Sequence, residues 1–282
     1  TARVETLGGE LVSYRDERGL EYIWGGDPAY WPGRNPLLFP IVGMLKEGKI
    51  RFDGREYAME RHGFARRREF TPAARGEDWV RLELRESAET LALYPYSFRL
   101  AVEQRLTDTG FSTAVTVANP GEGPLPFCLG AHTGFRCPLE AGERFEDYEL
   151  VFPERESCPT LLLRDGLLDR PAALPCLEDT DTLPLDYRWF DALDTLIFEG
   201  LRSRSVTLRS RKSGRGVRVS FDGFPMLAFW TMPGKKAPYL CIEPWHGCAA
   251  GTAEGPEFTD KAHCIVLAPG ESRTLAYRAD TL

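Results

Sequence analysis

Hydrophobic positions alternate with polar positions through most of this chain. Val80, Leu82 and Leu84 are separated by charged residues, and the same two-residue spacing recurs over 98–102 and 148–152. A period of two places successive side chains on opposite faces of a strand, one face toward a core and the other toward solvent. The pattern therefore predicts a protein built from strands.

Glycine and proline divide these strands. The chain contains 27 Gly and 21 Pro, which is typical of many short strands joined by turns. We expect an opening hairpin in residues 1–24, with the strand around 11–14 followed by a turn over 15–19 and a strand over 21–24, a hairpin over 50–57 around an Asp-Gly pair, and a final hairpin over 262–278 around a Pro-Gly pair. Residues 87–93 alone favour a helix, a short one capped by Ser87.

Two segments depart from the alternation. Residues 34–43 are apolar but contain two prolines, which predicts a sheet edge or an irregular crossing rather than an inner strand. Residues 153–190 are rich in Pro, Leu and Asp and predict a long irregular loop that covers either a site or the open end of a sandwich. No change in composition indicates a linker, so we expect one all-β sandwich domain over residues 1–282.

Composition and charge exclude several classes of function. A chain of 282 residues with 43% hydrophobic content can bury a large core, whereas a net charge of −7 argues against general nucleic-acid binding. The sequence contains no signal pattern and no apolar run long enough to span a bilayer. Its 7 cysteines lack the paired spacing of a zinc site, so we expect reduced thiols, no metal and a cytoplasmic location.

One carboxylate lies in an unusual setting. Glu243 is placed between apolar residues in 241–248 and precedes a Pro and a Trp. Burial raises the pKa of a carboxyl group, and a base tuned toward the working pH suits proton abstraction from a weak acid. The alternative is a structural ion pair at the end of a strand.

Two histidines share a similar context. His62 in 61–66 and His132 in 129–135 are each flanked by glycine and aromatic residues. Either could be a core histidine whose hydrogen bonds are satisfied, but with Glu243 they offer a base, an acid and polar anchors.

Taken together, these motifs resemble the aldose 1-epimerase (galactose mutarotase) superfamily, and more closely its LacX-like bacterial branch. The resemblance spans nearly the whole chain and depends on the order and spacing of the segments 21–31, 34–43, 62–66, 90–98, 129–135, 229–231 and 242–245. It implies a large antiparallel β-supersandwich that binds a sugar on a concave sheet surface.

The resemblance also implies roles for individual residues. Glu243 would be the base and His132 the acid of an isomerase that interconverts the anomers of a hexose. The implied sugar-binding residues are His62, Arg34, Arg66, Trp230 and Asp194, with Asp191 as a second choice for the aspartate. Proton transfer without redox change needs no cofactor, and the implied partner is a small sugar bound to a monomer or homodimer.

Three alternatives remain open. Arg66 to Arg68 could clamp a phosphate, which would make the protein a sugar-phosphate epimerase of the glucose-6-phosphate type. The protein could instead bind carbohydrate without turnover. A glycoside hydrolase is less favoured, because that chemistry usually needs two positioned carboxylates and only one lies in a site motif.

Overall fold

Antiparallel strands make up most of the molecule. The computed structural model describes residues 1–282. The strands are β1 Ala2–Val4, β2 Leu11–Tyr14, β3 Leu37–Leu38, β4 Lys49–Phe52, β5 Arg55–Ala58, β6 Thr71–Arg75, β7 Trp79–Arg85, β8 Arg99–Thr107, β9 Gly110–Ala118, β10 Leu125–Phe127, β11 Leu129–Ala131, β12 Thr133–Arg136, β13 Tyr148–Arg164, β14 Leu167–Pro184, β15 Thr195–Glu199, β16 Ser205–Ser210, β17 Gly216–Ser220, β18 Met226–Trp230, β19 Tyr239–His246, β20 Ile265–Leu267 and β21 Ser272–Thr281. The helices are α1 Ala88–Leu91 and α2 Tyr187–Leu193. The prediction of an all-β protein is confirmed.

A 15-stranded antiparallel sheet forms the body of the fold. Its strand order is β3-β11-β19-β18-β15-β13-β16-β17-β21-β9-β8-β7-β6, with β12 also paired to β19 and β14 to β13. Aromatic side chains such as Phe39, Tyr94, Phe98 and Phe127 pack against one another in its core. Burial of each such ring stabilises the fold by about 2 kcal/mol. No helix has the length and apolar composition needed to cross a membrane.

Strand β19 positions the carboxylate singled out in the sequence. It lies between β18 on one side and β11 and β12 on the other, so its backbone is held along both edges. The gap between β11 and β12 falls at His132, and both flanking registers place that residue opposite Glu243. Pro244, the residue after Glu243, has no N–H to donate to a ladder on either side.

Three local predictions hold in the structure. Strands β4 and β5 form the hairpin expected over 50–57. The amide of Thr90 donates to Ser87 Oγ over 3.2 Å and so caps α1. Within 34–43 the only strand is β3, which lies at one edge of the large sheet, as the prolines predict.

The opening hairpin forms only in part, and the final hairpin does not form. Strand β2 pairs with β1, while residues 21–24 are joined to the end of β2 by an antiparallel Arg15–Glu21 bridge and by a hydrogen bond from the Tyr22 amide to the Tyr14 carbonyl over 3.0 Å. No longer ladder follows, because the Tyr14 amide donates to the Glu21 side chain over 2.9 Å. At the other end β20 pairs with β10, and β21 pairs with β9 and β17, so these strands take distant partners instead of each other.

The long irregular loop predicted over 153–190 is also wrong. Most of this segment belongs to β13 and β14, which form one extended hairpin with several register shifts, and α2 follows. Among the strands β14 pairs only with β13, and two of the register shifts in this ladder fall at its prolines, around 171 and 175.

Candidate active site

A pocket of about 290 Å³ lies where β18 and β19 meet the tip of the β13–β14 hairpin. Its walls come from distant parts of the chain, and the hairpin tip contributes Leu163 and Gly166. The remaining lining residues are Trp31, Pro36, Gly43, Met44, Arg61, His62, Arg66, His132, Asp194, Thr195, Trp230, Met232, Glu243, Trp245 and Ala249.

His132 and Glu243 form a buried pair in this pocket. His132 Nε2 lies 3.3 Å from Glu243 Oε1, and the two residues are 8% and 1% exposed. Neither carboxylate oxygen completes a hydrogen bond, and no lysine or arginine pairs with Glu243. A structural ion pair of the ordinary kind is therefore absent here. Burial of a carboxylate without such partners costs several kcal/mol of folding stability. A buried group of this kind at a pocket is typical of a catalytic residue.

Burial shifts the pKa values of both groups toward their neutral forms. It raises the pKa of Glu243 well above its usual range; the Trp245 indole opposes this shift without completing a hydrogen bond, and the charge of Asp194 reinforces it. Burial also lowers the pKa of His132 to about 3, with further lowering by the positive charges of Arg66 and Arg61. Both shifts favour the neutral forms, in which the transferable proton of the pair is on the Glu243 carboxyl group and His132 is a neutral imidazole.

His62 is clamped to the backbone of Gly43. The Gly43 amide donates to His62 Nδ1 over 3.1 Å, and the His62 amide donates to the Gly43 carbonyl over 2.9 Å. Burial, with help from the nearby His132 ring, lowers the pKa of His62 well below its usual range. A neutral ring that accepts at Nδ1 carries its proton at Nε2. His62 lines the pocket and offers its Nε2–H group as a hydrogen-bond donor.

Two tryptophans frame the His132 ring. Trp31 lies 4.8 Å from it at 32° and Trp230 lies 5.6 Å from it at 74°, measured between ring centroids. The two indoles also contact each other edge to face. This frame limits rotation of the imidazole and excludes water from one side of it.

Asp194, and not Asp191, faces the pocket. Asp194 follows α2 with a φ of 62°, and its Oδ2 accepts from Thr195 Oγ1 over 2.8 Å. Asp191 accepts from the Gly234 amide over 2.7 Å outside the pocket. The second-choice aspartate is therefore a turn-stabilising residue.

The structure separates the three consecutive arginines. Arg66 lines the pocket, whereas Arg67 pairs with Glu60 over 2.5 Å and Arg68 pairs with Glu89. Residues 65–67 form a short 3₁₀ turn, so successive side chains point in different directions. The phosphate clamp predicted from Arg66 to Arg68 is not formed.

Arg61 is a charged pocket residue that was not predicted from the sequence. It lies next to His62, its Nη2 is 2.9 Å from Met44 Sδ, and Arg66 Nη2 donates to its carbonyl over 2.9 Å. Neither Arg61 nor Arg66 forms an ion pair with a carboxylate, although both line the pocket. Its position beside a site histidine was the signal that could have identified it.

Arg34 does not reach the pocket, contrary to expectation. Its Nε donates to the Gly25 carbonyl over 3.1 Å. The carboxylate of Glu10 accepts from the backbone amides of Arg34 and Asn35 over 3.0 and 2.5 Å, which holds the backbone of this segment in place. We therefore no longer assign Arg34 to sugar binding.

Comparison with known sequences identifies the family. The family described as aldose 1-epimerase matches residues 1–279 of this chain. The chain belongs to the aldose 1-epimerase family. Its sequence is 41% identical over 285 residues to the plasmid-encoded protein LacX of Lactococcus lactis subsp. lactis, covering 98% of this chain and 95% of that protein.

Solved structures of galactose mutarotase-like proteins have the same fold. A galactose mutarotase related enzyme from Lactobacillus acidophilus is 27% identical and superposes with a TM-score of 0.95, covering 100% of this chain and 94% of that chain. A galactose mutarotase-like protein from Lactobacillus casei ATCC 334 is 29% identical with a TM-score of 0.91, covering 100% of this chain and 96% of that chain. The expected galactose mutarotase-like fold and the likeness to LacX are both confirmed.

Proposed function

We propose that this member of the aldose 1-epimerase family interconverts the α and β anomers of a hexose by opening and closing the sugar ring. The observation that carries the proposal is the His132–Glu243 pair. These two proton-transfer groups lie 3.3 Å apart, buried at the wall of a sugar-sized pocket, and the carboxylate has no structural partner.

One shared proton is sufficient for this reaction. Ring opening requires that a proton leave the anomeric hydroxyl while another reaches the ring oxygen. Transfer of the proton from Glu243 to His132 generates a carboxylate that accepts the hydroxyl proton and an imidazolium that donates to the ring oxygen. The C1 carbonyl then rotates, and ring closure on its other face returns both protons.

The surrounding groups support the charges that develop. Formation of the imidazolium and carboxylate is costly in a dry pocket, so hydrogen bonds from the bound sugar must favour the charged form of the pair. His62 offers a neutral donor near the His132 ring, with ring centroids 5.7 Å apart. Arg66 supplies a positive charge where negative charge develops on oxygen.

The test is polarimetry on freshly dissolved α-glucose and α-galactose, with and without the protein. We expect the decay of optical rotation to accelerate in proportion to protein concentration for at least one sugar. Binding of a sugar by calorimetry without acceleration on any aldose tested would instead establish a non-catalytic carbohydrate-binding protein.

A second candidate is epimerisation of a phosphorylated sugar, and the arginines favour it. Arg61 and Arg66 place two guanidinium groups at the pocket, and neither is paired with a carboxylate. A neutral hexose needs no such pair of charges, whereas a phosphate accepts hydrogen bonds from two guanidinium groups readily. Comparison of kcat/KM for glucose and glucose 6-phosphate separates the two candidates.

Substitution of the pocket arginines sharpens that comparison. If the substrate is phosphorylated, Arg61→Gln and Arg66→Gln should each lower kcat/KM for glucose 6-phosphate by about tenfold or more, through the loss of a charged hydrogen bond. The matched control is Arg67→Gln, which removes a guanidinium paired with Glu60 outside the pocket and should leave kcat/KM unchanged. Equal losses in all three variants would point to a general electrostatic effect and reject phosphate recognition.

Asp194 provides a test of sugar positioning. Asp194→Asn should raise KM for the sugar by about tenfold, since a charge-assisted hydrogen bond to a hydroxyl is replaced by a neutral one. Asp191→Asn is the control, because that carboxylate accepts from the Gly234 amide away from the pocket. Steady-state polarimetry over a range of sugar concentrations checks both variants. A larger change of KM in the Asp191 variant would reverse the assignment.

A further inference from the structure

A cysteine completes a three-residue cluster with the acid–base pair. Cys241 precedes Glu243 by two positions in β19, so both side chains lie on the same face of the sheet. His132 approaches that face from the gap between β11 and β12. One ligand atom from each residue, the sulfur, a carboxylate oxygen and an imidazole nitrogen, lies within 4.8 Å of the other two.

Small residues of the neighbouring strands lie opposite two members of this cluster. Gly134 is opposite Cys241 in β12, and Ala228 is opposite Glu243 in β18. A Cβ at Gly134 would come within 3.0 Å of the Trp31 ring, so glycine is what allows the indole to pack here. All three cluster residues are buried, and both oxygens of Glu243 lack a hydrogen-bond partner.

The donor set suits a borderline-soft divalent cation. Zinc binds thiolate, imidazole and carboxylate ligands, and catalytic zinc sites have three protein ligands with a fourth position open. Nitrogen and oxygen ligands on a tetrahedral zinc ion are about 3.3 Å apart. The distance between His132 Nε2 and Glu243 Oε1 is 3.3 Å. Magnesium and calcium prefer all-oxygen sites and fit this cluster poorly.

We propose that His132, Cys241 and Glu243 form an inhibitory site for Zn²⁺ or a cation of similar chemistry. Binding converts the Cys241 thiol and the Glu243 carboxyl group to metal-bound anions and releases both protons to solvent, with no change of oxidation state. The bound cation occupies the lone pairs of His132 and Glu243 that proton transfer requires. The inhibition rests on the proposed function, whereas the binding does not.

The experiment measures metal binding and activity separately on the full chain. Protein treated with a chelator and dialysed is titrated with Zn²⁺ by calorimetry and with Co²⁺ by absorption, where a cysteine ligand produces a thiolate-to-cobalt charge-transfer band. We expect one Zn²⁺ per chain, a Tm that rises with Zn²⁺ concentration, and loss of epimerase activity that a chelator restores.

Cys241→Ser is the decisive variant. It should abolish the charge-transfer band, weaken Zn²⁺ binding by at least about tenfold, and relieve the inhibition relative to its own metal-free rate. Cys137→Ser is the matched control, because this buried cysteine lies just after β12 and outside the cluster. It should retain the band, the affinity and the inhibition.

The outcomes distinguish this inference from the proposed function. Absence of the charge-transfer band in the unsubstituted protein overturns the metal site even if Cys241→Ser fails to fold. Zn²⁺ binding that survives Cys241→Ser with the same affinity also overturns it, because the cation is then bound elsewhere. A thiolate band in a protein inactive on every sugar supports the metal site and rejects the epimerase.

Discussion

Replacement of Glu243 by glutamine should slow anomer interconversion by about 10³-fold, because the amide cannot accept the proton of the anomeric hydroxyl. Glutamine is nearly isosteric with glutamate and carries no charge, so it removes proton transfer with little change of shape. Burial raises the pKa of Glu243, so an uncharged group at this position already resembles the sugar-free state. We therefore expect sugar affinity to remain within a few-fold. Polarimetry gives the rate, and calorimetry gives the affinity.

Glu156→Gln is the matched control for this prediction. Glu156 is buried to the same extent as Glu243, but its carboxylate accepts from the backbone amides of Arg202 and Ser203 over 3.1 and 2.7 Å. Its replacement should lower stability and leave the catalytic rate of the folded protein within about twofold. If Glu243→Gln retains full activity, Glu243 is not the base, and the role passes to another pocket carboxylate such as Asp194.

His132→Asn carries the second-largest expected effect. Asparagine approximates part of the imidazole and still offers a hydrogen-bond donor, but it cannot shuttle a proton. We expect kcat to fall by about 10²-fold or more. Combination with Glu243→Gln should cost little beyond the larger single loss, because two groups that share one proton act as a unit.

His246→Asn is the control for His132. His246 lies in the same strand as Glu243, outside the pocket, and its Nδ1 is 2.9 Å from the His263 carbonyl oxygen. This variant should keep its rate within about twofold. Strictly additive losses in the double variant at Glu243 and His132 would show that the two groups act independently and would contradict the shared-proton mechanism.

The interior position of the His132–Glu243 pair in a wide sheet accounts for its burial and for the raised pKa of Glu243. A carboxylate on an edge strand would be solvated, and its pKa would stay near the ordinary value. Glu243 is held from both sides by β18 and by the β11–β12 segment, which brings His132 to it and keeps water away. The stability lost by burying the pair is offset by the large apolar core around it.

Local patterns in the sequence were enough to predict most strands outside 153–190 and to single out the histidines and the glutamate that line the pocket. Alternation over 80–84 and 98–102 predicts strands because a two-residue period has a direct physical cause in the backbone. The hairpin over 50–57 and the cap at Ser87 follow from turn and capping chemistry that acts within a few residues. His62, His132 and Glu243 were evident because each lies in a short motif of unusual chemistry.

Tertiary structure decided the remaining features, because they depend on pairing between distant strands. The registers that place His132 opposite Glu243, and the pairing of β21 with β9 instead of β20, are set by burial on whole faces and not by adjacent residues. Arg61 lines the pocket and lies beside His62, whose ring accepts from the Gly43 amide. Arg34 does not line the pocket, and its backbone amide is bonded to the distant Glu10. Sequence determined which groups could transfer a proton, and long-range strand pairing determined that two of them lie 3.3 Å apart.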